Sequence, residues 1–177
     1  MDKHKKVSNL LSKETCDILA GYLLMKEDRA DYDKNFSDID VPGAYHGYCD
    51  PVLDALLFYL KPRMEKEVGF ELYPTYSYFR IYRNGHALHK HTDRKSCEIS
   101  VTLNLKNDGV PWPIIIEGED IHLDQGDGAI YNGVMHKHHR RPFDGEEYIQ
   151  TFLHYVKADG EYSHFKHDKR IDLFDPF

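Results

Sequence analysis

Two stretches near the start of the chain carry hydrophobic residues at helical spacing. The first predicts a helix over residues 12–26, where the Ser12 side chain can cap the free backbone N–H groups of the first turn. The second predicts a helix over residues 51–67, with Asp50 as N-cap, Pro51 in the first turn and a glycine just beyond its end. We expect both helices to pack on the outside of a sheet.

The period of the hydrophobic pattern changes to two after the second helix. Short runs rich in β-branched and aromatic residues alternate with glycine-containing turns. They predict strands over residues 73–82, 88–93, 97–105, 112–117, 121–123, 128–131, 135–141 and 148–156. Two helices followed by about eight short strands predict a mainly β fold with an N-terminal helical flank, either a β-barrel or a jelly roll.

The remaining segments are polar. Residues 1–11 are predicted to be a flexible lead, and residues 27–49, rich in Asp and punctuated by Gly and Pro, a long loop. The tail over residues 157–177 contains His164 and His167, which we expect to be exposed to solvent.

Composition narrows the class of protein. A chain of 177 residues, 41% hydrophobic and 13% aromatic, predicts one globular domain over residues 1–177, with a helical flank (12–69), a β core (73–156) and a tail (157–177). A net charge of −7 argues against a nucleic-acid binder. Three cysteines without metal-type spacing, no secretory signal and no stretch long enough to span a membrane predict a cytoplasmic protein.

Histidines in two of the predicted strands suggest a metal site. On a strand, His91 and Asp93 share one face, so both can reach one ion. A third ligand can come from the cluster His136-Lys137-His138-His139, where His136 and His138 share a face. Two histidines and one carboxylate leave open coordination positions and suit Fe(II).

A His-x-Asp spacing is weak evidence alone, because about one match is expected by chance in a chain of this composition. A second match, His122-Leu123-Asp124, lies only about a dozen residues before the histidine cluster and next to a predicted tight turn. The order of the strands therefore favours His91 and Asp93.

Four features together resemble the 2-oxoglutarate- and Fe(II)-dependent dioxygenases, and most closely their prolyl-hydroxylase-like branch. They span about Tyr73 to Val156. They are Tyr82 followed after eight residues by His91-Thr92-Asp93, the alternating strand after Cys97, the Gly126-Asp127 turn, and His138-His139-Arg140-Arg141-Pro142-Phe143.

The resemblance implies a double-stranded β-helix that binds Fe(II), 2-oxoglutarate and O2 and hydroxylates an aliphatic carbon, such as that of a peptidyl proline. In relatives with a similar His-x-Arg-x-Pro-Phe ending, the first histidine is the ligand. This favours His138 as the third ligand, with His136 as the alternative. The region Val110-Pro111-Trp112-Pro113 lacks the paired glycines expected of prolyl hydroxylases, and the primary substrate, a peptide or a small molecule, is left open.

The cation that binds the far carboxylate of 2-oxoglutarate is not where the family places it. Many members carry Arg or Lys nine or ten residues after the distal histidine, and here those positions are Glu147 and Tyr148. Arg140 shares the face of His138 and is our candidate, because a guanidinium can bind a carboxylate with two hydrogen bonds. Arg80 and Arg83 are the alternatives, and Tyr82 and Thr102 could add hydroxyl groups.

Two other classes of function would use some of the same metal-binding residues or the same iron chemistry. A cupin-like metal-binding protein, acting as an isomerase, a non-oxidative enzyme or a sensor, often brings His-x-His and Glu, and His89, His91 and Glu98 offer that pattern. A nucleic-acid demethylase shares the iron chemistry but needs a basic groove for a flipped base, which the acidic composition disfavours.

Overall fold

The computed structural model describes residues 4–30 and 38–170, and within them two α-helices, two short 3-10 helices and ten strands. The α-helices are α1 (Lys13–Arg29) and α2 (Pro51–Val68), and the 3-10 helices are Lys95–Cys97 and Ser163–Lys169. The strands are β1 (Lys5–Val7), β2 (Tyr45–Tyr48), β3 (Leu72–Arg83), β4 (Leu88–His91), β5 (Ile99–Asn107), β6 (Ile114–Ile116), β7 (Glu119–Ile121), β8 (Gly128–Tyr131), β9 (His138–Arg140) and β10 (Glu147–Lys157).

The strands form two antiparallel sheets. The larger has the order β1-β8-β5-β10-β3-β2, and the smaller the order β4-β9-β6-β7. Apart from the hairpin of β6 and β7 in the small sheet, strands β3 to β10 alternate between the two sheets in the manner of a jelly roll, which confirms the predicted fold class. No helix of the described residues combines the length and hydrophobicity that crossing a membrane requires.

The ends of both helices follow from local sequence. Ser12 accepts a hydrogen bond from the Thr15 amide at 3.3 Å, and Asp50 accepts from the Val52 and Leu53 amides at 3.0 and 3.3 Å. Gly69 ends α2 with a φ of 84°, a left-handed conformation that glycine adopts without steric cost. The first helix continues to Arg29, three residues beyond the prediction.

Two strands contradict the sequence analysis. Residues 5–7, predicted to be a flexible lead, form β1 beside β8, and residues 45–48, predicted to lie in a loop, form β2 beside β3. Both are edge strands whose side chains are mostly exposed or half-buried. They are held in place by backbone pairing, so their sequences do not show the alternation of hydrophobic and polar residues that predicts a strand. Residues 31–37 of the predicted loop lie outside the described residues.

The two faces of the large sheet differ in chemistry. One face packs against α1 and α2 with aliphatic and aromatic side chains, among them Phe79, Ile81, Val101, Leu103 and Leu153. The other face points toward the small sheet and is mostly polar or aromatic. Its residues are Tyr76, Tyr78, Arg80 and Tyr82 on β3, Ser100, Thr102 and Asn104 on β5, and Tyr148, Gln150, Phe152 and His154 on β10.

The expectation that His164 and His167 are both exposed is only half right. His164 is exposed, but His167 is buried, with its ring centroid 5.7 Å from that of Phe58 on α2. The chain around His167 docks against β3, which explains the burial. We call residues 163–170 the C-terminal segment.

Candidate metal centre and polar interior

The side chains of His91, Asp93 and His138 converge between the two sheets. The Nε2 atoms of His91 and His138 each lie 3.4 Å from Asp93 Oδ1, and the two imidazole centroids are 4.3 Å apart. His91 and His138 are paired residues of β4 and β9, and Asp93 follows two residues beyond the end of β4. The arrangement therefore presents two imidazole nitrogens and one carboxylate oxygen to one point.

Backbone carbonyls orient both imidazoles. His91 Nδ1 lies 2.8 Å from the carbonyl oxygen of His89, and His138 Nδ1 lies 3.0 Å from that of His136. A carbonyl can only accept, so each Nδ1 carries the proton. Each Nε2 is then the nitrogen that faces Asp93, and in the neutral imidazole its lone pair is available to bind a metal.

Asp93 is held by groups that favour its ionised form. Ser100 donates a hydrogen bond to Asp93 Oδ2 at 3.0 Å, and the Asp93 amide donates to the Gly133 carbonyl at 2.7 Å. Burial alone would raise the pKa of Asp93, but in the metal-free protein the imidazoles of His138 and His91, when they carry a proton on Nε2, donate hydrogen bonds that outweigh it and hold that pKa well below its usual range. The carboxylate is therefore an acceptor that can bind a cation.

The other predicted ligands do not join this group. His136 is half-buried, and His122, Asp124 and His89 are exposed; none belongs to a metal-type cluster of the described residues. Glu98 accepts a hydrogen bond from the Lys157 amide at 2.9 Å and likewise belongs to no such cluster. The His-x-His and Glu pattern expected of a cupin therefore does not assemble around His91.

A second group of possible ligands, Asp93, Cys97 and His154, is engaged in hydrogen bonds. His154 Nδ1 lies 3.0 Å from Ser100 Oγ, and Cys97 Sγ lies 3.0 Å from the Tyr76 hydroxyl. Burial lowers the pKa of His154 to about 4 and raises that of Cys97 to about 12, so the imidazole is neutral and the thiol protonated. We interpret this group as hydrogen-bonded neighbours that hold Asp93 in place, and not as a second metal site.

A pocket of about 180 Å³ opens beside the triad. It is walled by inward side chains of β3 and β10; the sequence analysis named Arg80 among them as an alternative cation for 2-oxoglutarate and took the others only as strand pattern. The wall residues are Tyr76, Tyr78, Arg80, Phe152 and His154. The sequence did contain a signal for them: in each strand they occupy alternate positions, and therefore one face.

Arg140 is buried in the same interior without a carboxylate partner among the described residues. Its guanidinium carbon lies 4.5 Å from the centroid of the Trp112 ring and 4.9 Å from that of Tyr148. Nη1 donates to the Trp112 carbonyl at 2.5 Å, whereas Nε and Nη2 have no hydrogen-bond partner. A buried cation in this state is costly unless an anion reaches it.

The hydroxyl groups of Tyr82 and Tyr148, whose residues are paired on β3 and β10, also lack partners. Trp112 packs against both rings, at centroid distances of 4.8 and 5.2 Å. Thr102 is buried on β5, two residues from Ser100, and accepts a hydrogen bond from Gln150 Nε2. Tyr148, one of the two positions where the family resemblance leads us to expect the cation, thus lies against the guanidinium of Arg140.

The alternative cations are already paired. Arg80 binds both carboxylate oxygens of Asp38 and also contacts Asp40, at 3.1 Å. Arg83 contacts Glu27 at 2.6 Å and Glu147 at 2.8 Å. Of the three arginines considered, Arg140 alone is left to bind an added anion.

Comparison with known proteins gives matches in structure only: no family model and no curated protein sequence matches the chain. The matching solved structures have the fold of the 2-oxoglutarate- and Fe(II)-dependent oxygenases. AviO1 from Streptomyces viridochromogenes aligns with a TM-score of 0.70 and 14% identity over 90% of this chain and 91% of its own.

A prolyl-4-hydroxylase of Pseudomonas putida aligns with a TM-score of 0.68 and 15% identity, over 87% of this chain and 92% of its own. The collagen prolyl hydroxylase of Paramecium bursaria Chlorella virus, solved with 2-oxoglutarate, aligns with a TM-score of 0.65 and 13% identity, over 86% and 94%. The resemblance seen in the sequence is thereby confirmed at the level of the fold.

Proposed function

We propose that this chain is a 2-oxoglutarate- and Fe(II)-dependent oxygenase that hydroxylates an aliphatic carbon. In this proposal His91, Asp93 and His138 bind Fe(II), and Arg140 binds the far carboxylate of 2-oxoglutarate. The observation that carries it is the buried Arg140 guanidinium, without an anionic partner among the described residues, on the same strand and face as a histidine of the triad.

The donor set supports the metal. Two imidazole nitrogens and one carboxylate oxygen would leave open positions on a bound ion for a bidentate cosubstrate and O2, as a non-haem Fe(II) oxygenase requires. When bound, the iron would supply oxygen activation coupled to the decarboxylation of 2-oxoglutarate to succinate.

The spacing and the donors support the cosubstrate. Residues two apart on a strand are separated by about 6.6 Å, comparable to the length of a five-carbon dicarboxylate, so one molecule could reach from the triad to Arg140. Arg140 Nε and Nη2 and the hydroxyls of Tyr82 and Tyr148 are donors that a carboxylate would satisfy. Thr102 would lie alongside the carbon chain.

The protein's own part in the reaction is to orient the reactants and exclude water. The triad would fix the metal, and Arg140 would fix the far end of the cosubstrate, so that its keto acid end meets the open positions. The aromatic walls formed by Tyr76, Tyr78 and Phe152 would shield the reacting centre from solvent.

Hydroxylation is the reaction we favour, and a peptidyl proline is one candidate substrate, because two of the similar structures are prolyl hydroxylases. Other structures with this fold are an epimerase and a carbocyclase, so the fold supports more than one outcome. The unpaired cysteines Cys16, Cys49 and Cys97 agree with the cytoplasmic location that we propose.

The test is calorimetric titration of 2-oxoglutarate into anaerobic protein loaded with Mn(II), an inert substitute for iron. We expect binding in the wild type, and affinity reduced about tenfold or more in Arg140→Gln, because a hydrogen bond to a charged group contributes about 1.5–3 kcal/mol. Arg141→Gln is the matched control, since this neighbouring arginine is exposed and pairs with Asp120 at 2.9 Å.

Asp93→Ala should abolish binding of both Mn(II) and 2-oxoglutarate. A wild-type protein that takes up Mn(II) but not 2-oxoglutarate would contradict the oxygenase and favour a cupin-like role. Equal losses in the Arg140 and Arg141 variants would remove Arg140 from the cosubstrate site.

A further inference from the structure

The C-terminal segment packs against β3, one of the strands that line the metal pocket. Arg170 donates to Asp54 Oδ2 on α2 and to the Thr75 carbonyl on β3, each at 2.9 Å. The C-terminal segment makes more contacts with β3 than with any other element. The segment therefore lies along the strand whose inward side chains line the pocket.

Asp168 is the most strongly bound residue of this segment. Its carboxylate accepts two hydrogen bonds from the Arg94 guanidinium, at 3.1 and 2.7 Å, and a third from the Tyr48 hydroxyl on β2. Its side chain is only 6% exposed, whereas that of Arg94 is 51% exposed. Asp168 lies in a run of three non-glycine residues with left-handed backbone, at φ values of 52°, 53° and 61°, a conformation that needs outside support.

Arg94 brings this ion pair next to the metal triad. It follows Asp93 directly, and its guanidinium carbon lies 4.3 Å from the centroid of the Tyr76 ring. Tyr76 lines the metal pocket, and its ring centroid lies 4.5 Å from that of His154, with the rings tilted by 35°. His154 in turn contacts Ser100, the donor to Asp93. A positive charge thus sits beside a site meant for a dication, and Asp168 is its counter-charge.

We propose that Asp168 is a positioning residue for the metal centre: it holds the Arg94 guanidinium away from Asp93 and neutralises its charge, so that Asp93 stays available to a divalent cation. The proposal rests on the metal site proposed above. Without Asp168, Arg94 could turn toward the neighbouring carboxylate, form a bidentate pair with it and compete with the metal. Even without turning, an uncompensated positive charge on the residue next to Asp93 would oppose a dication.

The test is the affinity of the metal-free protein for Mn(II), measured by calorimetry without cosubstrate or turnover. We expect Asp168→Asn to raise the Kd for Mn(II) about tenfold. The double variant Arg94→Gln/Asp168→Asn should return to within about threefold of the wild-type Kd, because removing the guanidinium removes the competitor. A purely structural role for Asp168 predicts no such recovery.

Arg170→Gln is the matched control, because it loosens the same segment through contacts that do not involve Arg94. It should lower the unfolding temperature and leave the Kd for Mn(II) unchanged. An unchanged Kd in Asp168→Asn, or a double variant as weak as the single one, would overturn the inference. Failure of the wild type to bind Mn(II) would instead contradict the proposed function.

Discussion

At the scale of single residues, Gly133 shows how tightly the triad is packed. A β-carbon at this position would lie 2.5 Å from the Cys97 carbonyl oxygen and 2.6 Å from Ser100 Oγ, and would also meet Asp93 Oδ2. The Gly133 carbonyl in turn accepts the hydrogen bond from the Asp93 amide. Only glycine lets the chain pass this close to the carboxylate.

We predict that Gly133→Ala destabilises the metal-free protein by about 1–3 kcal/mol, the usual effect of overpacking, and weakens Mn(II) binding because Asp93 must move. Urea unfolding and calorimetry measure the two effects. Gly21→Ala is the control: its site on α1 is open, and it should stabilise by about 0.5–1 kcal/mol. Wild-type Mn(II) affinity in Gly133→Ala would refute the argument.

Residue spacing placed His91 and Asp93 on one face of a strand, and the family resemblance favoured His138 over His136 as the third residue, which the structure brings next to them. The role of Tyr148 beside Arg140 could not be read in this way. It depends on β9 of one sheet facing β10 of the other, a relation that no local pattern contains. The same is true of Asp168, which meets Arg94 only after the chain has passed through both sheets.

At the scale of elements, residues 38–44 are tied to the pocket by one buried carboxylate. Asp38 accepts hydrogen bonds from the Asp40 and Val41 amides and from the Arg80 guanidinium. Burial alone would raise the pKa of Asp38, but the hydrogen bonds and charge of Arg80 outweigh it, and the pKa is lowered. The pair therefore stabilises the fold above the ordinary pKa of an aspartate.

We predict that Asp38→Asn lowers the free energy of unfolding at pH 7 by about 3 kcal/mol, because it leaves the buried Arg80 poorly compensated. Asp40→Asn should cost less than about 1 kcal/mol, since the Asp40 side chain is 55% exposed.

The cost of Asp38→Asn should also depend on pH. Since the folded pKa lies below the unfolded one, the stabilisation by Asp38 is lost as pH falls below about 4. The difference between variant and wild type in urea unfolding should therefore shrink between pH 4 and pH 3. A constant difference over this range would contradict the assignment.

The elements predicted best were those with a long hydrophobic pattern and a capping residue, as in α2 with Asp50 and Gly69. The short edge strands β1 and β2 were missed, because their order comes from pairing with β8 and β3 and not from buried side chains. That residues 1–177 form a single domain stays a prediction.

At the scale of the whole molecule, the fold encloses polar groups that no other described residue satisfies. Arg140, Tyr82, Tyr148 and Gln150 each keep a polar atom without a protein partner inside the sandwich. A ligand that pairs with these atoms would therefore stabilise the folded protein.

We predict that Mn(II) and 2-oxoglutarate together raise the unfolding temperature, and that 2-oxoglutarate alone does not. A ligand at one hundred times its Kd adds about 2.7 kcal/mol, which for a protein of this size is a rise of about 5–10 °C. Thermal scans with EDTA, with Mn(II) and with both ligands measure this. An equal rise with 2-oxoglutarate in EDTA would show that binding does not depend on the metal.

The pairing of β10 between β3 and β5 limits how this protein can change over generations. Because side chains alternate between the faces, deleting one residue from the middle of β10 would turn the side chains beyond the deletion to the opposite face. Aliphatic side chains would then point into the polar interior between the sheets, and Gln150 or His154 would point toward the helices. A one-residue change in this strand therefore requires a β-bulge to restore the alternation, like the register shift already present between Ile149 and Gln150 in its pairing with β5.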